Sequence, residues 1–122
     1  LPALLQALRE VPDPRGKNTR FKIGPVLAIV ALALLAGRRD IAGIARMAHL
    51  LDQDQRFALA LPREAGKKIR SAPGYGVFYE VLTRLDPEAF AQALNRWLGA
   101  HAGALPAALA LDAKFIRDAV GV

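Results

Sequence analysis

Asp112 is the acidic residue with the most suggestive setting in this chain. It closes the short apolar run Ala107-Ala108-Leu109-Ala110-Leu111, and Phe115-Ile116-Arg117 follows after two more residues. The pattern reads as a strand, a tight turn and the start of a second strand. A carboxylate at a strand end is fixed by the sheet while its tip reaches solvent. Metal-dependent phosphoryl transfer uses two or three such groups to hold Mg²⁺ ions. Only Asp118 lies nearby in sequence, so the spacing supplies one carboxylate and no site, and an ordinary strand-end Asp is the favoured explanation. The other candidates are weaker. His49 sits among apolar helix residues, and His101 lies near a helix C-terminus, where a cation is favoured; no nucleophile or second ligand pairs with either. Ser71, the sole serine, lies in a loop without the strand-to-helix elbow a nucleophile needs. Gly74-Tyr75-Gly76 lacks the preceding strand of a phosphate-cradling motif.

The basic residues form a stronger pattern. They fall into three clusters: Arg15, Lys17, Arg20 and Lys22; Arg38 and Arg39; and Arg63, Lys67, Lys68 and Arg70. Residues 1–70 carry thirteen basic and six acidic groups, a balance of +7, whereas residues 71–122 carry four and five, a balance of −1. A cationic first half suits a polyanionic partner, most simply a nucleic-acid backbone. Loop Lys and Arg beside helix ends neutralise phosphates without reading bases. The plain alternative for each cluster is a solvated face that keeps an apolar chain soluble.

The elements that must position these groups are mostly helical. Of 122 residues 53% are apolar, enough for one compact domain, and the absence of Cys excludes disulfides and Cys-based zinc sites. Leu4, Leu5 and Leu8 mark a first helix over Pro2 to Glu10, and the two prolines in Val11-Pro12-Asp13-Pro14-Arg15 prevent its continuation. A second helix is expected from Pro25 to Gly37, apolar all round and therefore central. The uncharged run at 23–36 is fourteen residues long. A membrane span needs roughly twenty, so a buried helix and a cytoplasmic protein without membrane contact are expected. Asp40 is a suitable N-cap for a third helix bearing Ile41, Ile44, Ala45, Ala48 and Leu51, and Asp52 to Leu61 forms a short fourth. This pair has helix–turn–helix spacing, a pattern that many all-α domains share. Pro62 to Gly74 is a long basic loop. A helix over Tyr75 to Leu85 follows, then Asp86-Pro87-Glu88 restarts a last helix with the stripe Phe90, Leu94, Trp97 and Leu98, broken by Gly99 to Pro106.

Several of these motifs together resemble the N-terminal region of the H-repeat-associated insertion-sequence transposases, which are DDE-class enzymes. The resemblance rests on Val11-Pro12-Asp13-Pro14-Arg15, the apolar helix Leu27 to Gly37, Ile41-Ala42-Gly43-Ile44-Ala45 and the Pro73 to Phe78 segment. It continues through Leu85-Asp86-Pro87-Glu88-Ala89-Phe90, Trp97-Leu98 and Leu109-Ala110-Leu111-Asp112-Ala113-Lys114. It implies a helical N-terminal domain leading into an RNase H-like catalytic domain, with Asp112 as the first Mg²⁺-binding carboxylate. Ala113 stands where that family has glycine, which predicts a vestigial role for Asp112.

The resulting expectation is a mainly α, compact helical bundle over 1–105 with a helix–turn–helix-like portion. A short C-terminal β-hairpin over 106–122 would begin a truncated RNase H-like domain. The expected function is a DNA-binding module derived from a DDE transposase. It stops after the first catalytic carboxylate, is not catalytic alone and needs no cofactor of its own, and it serves as part of a larger nucleoprotein complex. The alternative is a protein-interaction module whose charge only aids solubility. An active nuclease requires another chain to complete the site.

Overall fold

The run between Lys22 and Arg38 has no polar face to offer solvent, and it becomes the axis of the fold. The computed structural model describes residues 2–16 and 19–101. These form six helices: α1 (Pro2–Arg9), α2 (Ile23–Leu35), α3 (Ile41–Leu50), α4 (Gln53–Ala58), α5 (Tyr75–Arg84) and α6 (Pro87–His101). Every residue of α2 except Ile23, Leu32 and Leu35 is buried. Each buried Val, Leu or Ile contributes on the order of 1.5–3 kcal/mol relative to exposure. α1 packs against α2 and α6, and α3 packs against α2 and α5.

The helix ends follow local chemistry. α2 stops because Gly37 takes φ +90°, letting the Arg38 N–H reach the Ala33 carbonyl at 2.9 Å and the Gly37 N–H reach Leu34 at 3.1 Å. That is the Schellman arrangement, and glycine adopts it without a Cβ penalty. Asp40 caps α3 by accepting from the Gly43 N–H at 2.6 Å, and Asp86 accepts from the Glu88 N–H at 3.0 Å at the start of α6. Asp52 and Gln55 form a reciprocal capping box on α4.

α2 begins at Ile23, two residues before the expected Pro25, and two helix C-termini differ more consequentially from the sequence expectation. α4 ends at Ala58 instead of reaching Leu61, because Ala60 turns to φ 58° and the Leu61 N–H bonds the Arg56 carbonyl at 3.0 Å. α4 itself buries no residue, and this turn delivers Leu59 and Leu61 into the core at 1% and 0% exposure. α6 runs through Gly99 to His101; an exposed glycine late in a helix weakens it by only about 1 kcal/mol, too little to stop it. No described helix is long and apolar enough to cross a membrane. The expected hairpin over 106–122 lies outside the described residues.

Candidate nucleic-acid interface

The basic segment after α4 is an ordered hairpin-like loop. The Ser71 N–H bonds the Pro62 carbonyl at 2.8 Å, the Glu64 N–H bonds Ile69 at 2.8 Å, and Arg63 and Arg70 form an antiparallel bridge. A tight turn closes the tip, where the Lys67 N–H reaches the Glu64 carbonyl at 3.0 Å and Gly66 supplies φ +71°. Lys67 and Lys68 stand exposed at this tip.

Cations from α4 and from the hairpin itself hold the loop in place. Arg56 donates to the carbonyls of Leu51 at 2.9 Å, His49 at 3.0 Å and Arg70 at 2.8 Å, so one guanidinium ties the end of α3 to the hairpin. Gln53 accepts from the Arg70 N–H at 2.7 Å and donates to its carbonyl at 3.2 Å. The Arg70 guanidinium donates to the Leu61 carbonyl and lies over the Phe57 ring, 4.8 Å from its centroid. Such a cation–π contact adds roughly 0.5–1 kcal/mol at an exposed site.

A contact across 51 residues of chain brings a second cluster to this hairpin. Arg20 Nη2 donates to Ser71 Oγ at 2.6 Å, and the same guanidinium lies 5.3 Å from the Phe21 ring centroid. Arg20, Arg63 and Lys67 thereby line one open hollow of ≈ 630 Å³, together with Glu64, Ala65 and Ser71. Glu64 is the hollow's one acid and pairs with Lys67 at 3.7 Å. Both partners of that pair are accessible, so it exchanges readily with solvent or an incoming anion. The hollow therefore presents three cations against one carboxylate, with a hydroxyl between them.

The remaining sequence candidates are placed differently. The Arg15 side chain is 5% exposed; it holds Asp13 through Nε at 3.0 Å and donates to the Phe21 carbonyl at 2.7 Å. It is a clasp for the connector before α2, not a surface cation. Burial pushes the Asp13 carboxyl up, but the hydrogen bonds and charge of Arg15, with the charge of Lys22, bring it below its ordinary value. Arg70 is likewise half-buried and committed to the hairpin. Lys22 is exposed at the N-cap of α2, while Arg38 and Arg39 sit at the α2–α3 turn and do not line the hollow. His49 is exposed and enters the hydrogen-bond network through its carbonyl, and Ser71 is buried in the hairpin closure. Lys17 and Asp112 lie outside the described residues. Among the described residues, no three His, Cys, Asp or Glu side chains gather into a group that could hold a metal ion.

Sequence reasoning missed Arg56, Gln53 and Phe57 as the hairpin's anchors and Ser71 as the partner of Arg20. None of these contacts has a periodic signature. A findable signal was missed at Tyr75 and Tyr79, two exposed rings one helical turn apart on α5, flanking its buried Phe78, Val81 and Leu82.

A family model described as DDE_Tnp_1-associated matches residues 5–98, which takes in all of α2 to α5, the hairpin and the hollow. No curated protein and no solved structure matches the chain. The helical architecture and the match agree with the resemblance carried by the Val-Pro-Asp-Pro-Arg and Leu-Asp-Pro motifs. This chain belongs to the DDE_Tnp_1-associated family, the N-terminal region that accompanies DDE transposases.

Proposed function

We propose that this chain is a DNA-binding module of a DDE transposase, gripping the phosphate backbone through the hairpin and the connector before α2. The observation that carries the reading is the convergence of Arg20, from the connector before α2, with Arg63 and Lys67 of the hairpin on one hollow. Like charges gather at the cost of mutual repulsion, and a bound polyanion offsets it. α4 begins at the exposed N-cap Asp52 and carries exposed Asp54, and its Arg56 is committed to backbone carbonyls. That charge pattern favours phosphate contact by the hairpin over groove reading by α4 as a recognition helix.

The module's part is to hold DNA. Metal-dependent strand cleavage requires further carboxylates beside Asp112, from the rest of a transposase or from another chain. Mg²⁺ held there would supply charge stabilisation at the scissile phosphate.

The test is a salt series of gel shifts with duplex DNA. Binding is expected to fall steeply with salt, by about 0.9 in the log–log slope for each phosphate neutralised. Charge reversal at Arg63, Lys67 and Lys68 should lower affinity for all sequences alike and flatten the slope. Salt-insensitive association with a protein, unaffected by those substitutions, would instead establish the interaction module.

A further inference from the structure

Beside the basic hollow lies a second surface of opposite character. Tyr75 and Tyr79 stack at 6.2 Å between ring centroids with an interplanar angle of 20°, and each is 52% exposed. Leu50 at the end of α3 is 75% exposed. Tyr75 and Leu50 join Ala45, Arg46 and His49 around an apolar hollow of ≈ 450 Å³. None of these lining residues is acidic; Glu80, next to Tyr79, pairs with Arg84 at 3.7 Å.

The two hollows are neighbours. Three residues separate Ser71, in the basic hollow, from Tyr75, in the apolar one, so their Cα atoms lie at most ~14 Å apart. The Arg56 guanidinium also bridges the carbonyl of His49, in the apolar hollow, and that of Arg70 in the hairpin. A cationic groove beside exposed aromatic rings is the arrangement that holds single-stranded nucleic acid. The cations track the phosphates while unpaired bases stack on the rings, and any base serves because every base has a π-face. A paired base in a duplex has no free face to offer.

We infer that Tyr75 and Tyr79 form a stacking platform for unpaired bases of a DNA strand whose phosphates occupy the hollow of Arg20, Arg63 and Lys67. The inference rests on the DNA-binding reading and names its substrate class as an unpaired strand or frayed end. The favoured occupant is a base and not an apolar peptide, because the hollow beside Tyr75 is lined by Arg46 and no acid and lies near a site suited to phosphate.

The test uses the full chain with a fluorescein-labelled oligothymidylate and a duplex of the same length, read by fluorescence anisotropy. Replacing both tyrosines (Tyr75→Ala with Tyr79→Ala) is expected to weaken oligothymidylate binding roughly tenfold or more and to leave duplex binding unchanged. The pair Tyr75→Phe with Tyr79→Phe, which keeps the rings, should bind as the parent does. Oligothymidylate binding equal to the parent's in the alanine variant, with the duplex still bound, overturns the inference while the DNA-binding reading stands; the face then falls to a protein partner. Failure of the parent chain to bind either probe overturns both.

Discussion

Arg20 Nη2 donates to the Oγ of Ser71 at 2.6 Å, joining the connector before α2 to the base of the hairpin after α4. The serine is 8% exposed, whereas Arg20 faces solvent, so a buried hydroxyl holds a surface cation in place. Ser71→Ala removes the acceptor and leaves the guanidinium to water. It should lower the unfolding free energy by about 1 kcal/mol, read from urea denaturation with an unchanged m-value. DNA affinity should fall less in Ser71→Ala than in Arg20→Glu, since only the latter removes the charge.

Arg70 and Lys67 separate scaffold from surface. Lys67→Glu with Lys68→Glu should leave stability within about 0.5 kcal/mol of the parent, because both side chains are exposed and distant from the core. Arg70→Glu loses the bond to Leu61 and the Phe57 contact and sets a carboxylate against the carbonyl it used to satisfy. A loss of about 1–3 kcal/mol is expected. Thermal melts of the two variants distinguish the roles, and equal destabilisation would remove the distinction.

Ala60 adopts φ 58° at the end of α4, where a residue with a Cβ is strained and glycine is not. Ala60→Gly relieves that strain but gives the unfolded chain more freedom. The net expectation is a gain of up to about 1 kcal/mol, seen as a higher urea midpoint. A loss of stability would mean that the turn is held without strain.

Asp13 titrates below its ordinary 3.8 in the folded chain. A depressed carboxylate stabilises the fold fully above its unfolded pKa, and the contribution is lost as pH falls through the folded value. Asp13→Asn should therefore reduce stability near neutrality and flatten the acid limb below about pH 4. Urea midpoints of parent and variant, measured across that range, should converge as the pH drops.

Much of the helical scaffold was legible in the residues themselves. The uncharged run of α2, the Gly37 stop, the Asp40 cap and the Asp86-Pro87-Glu88 restart act between neighbours two to five positions apart, and those distances are printed in the sequence. The family motifs were legible for the same reason. Charge clusters marked the basic connector and the basic loop, but neither the loop's hairpin form nor the sorting of the cations could be read from them. Arg15 and Arg70 spend their guanidinium groups on carbonyls 6 and 9 residues away, whereas Arg20 reaches a hydroxyl 51 residues away and so meets Arg63 and Lys67. Which cation is clasp and which is surface depends on where α2 and the Leu59–Leu61 turn are buried. Burial is a property of the packed chain, and only the tertiary structure decided it.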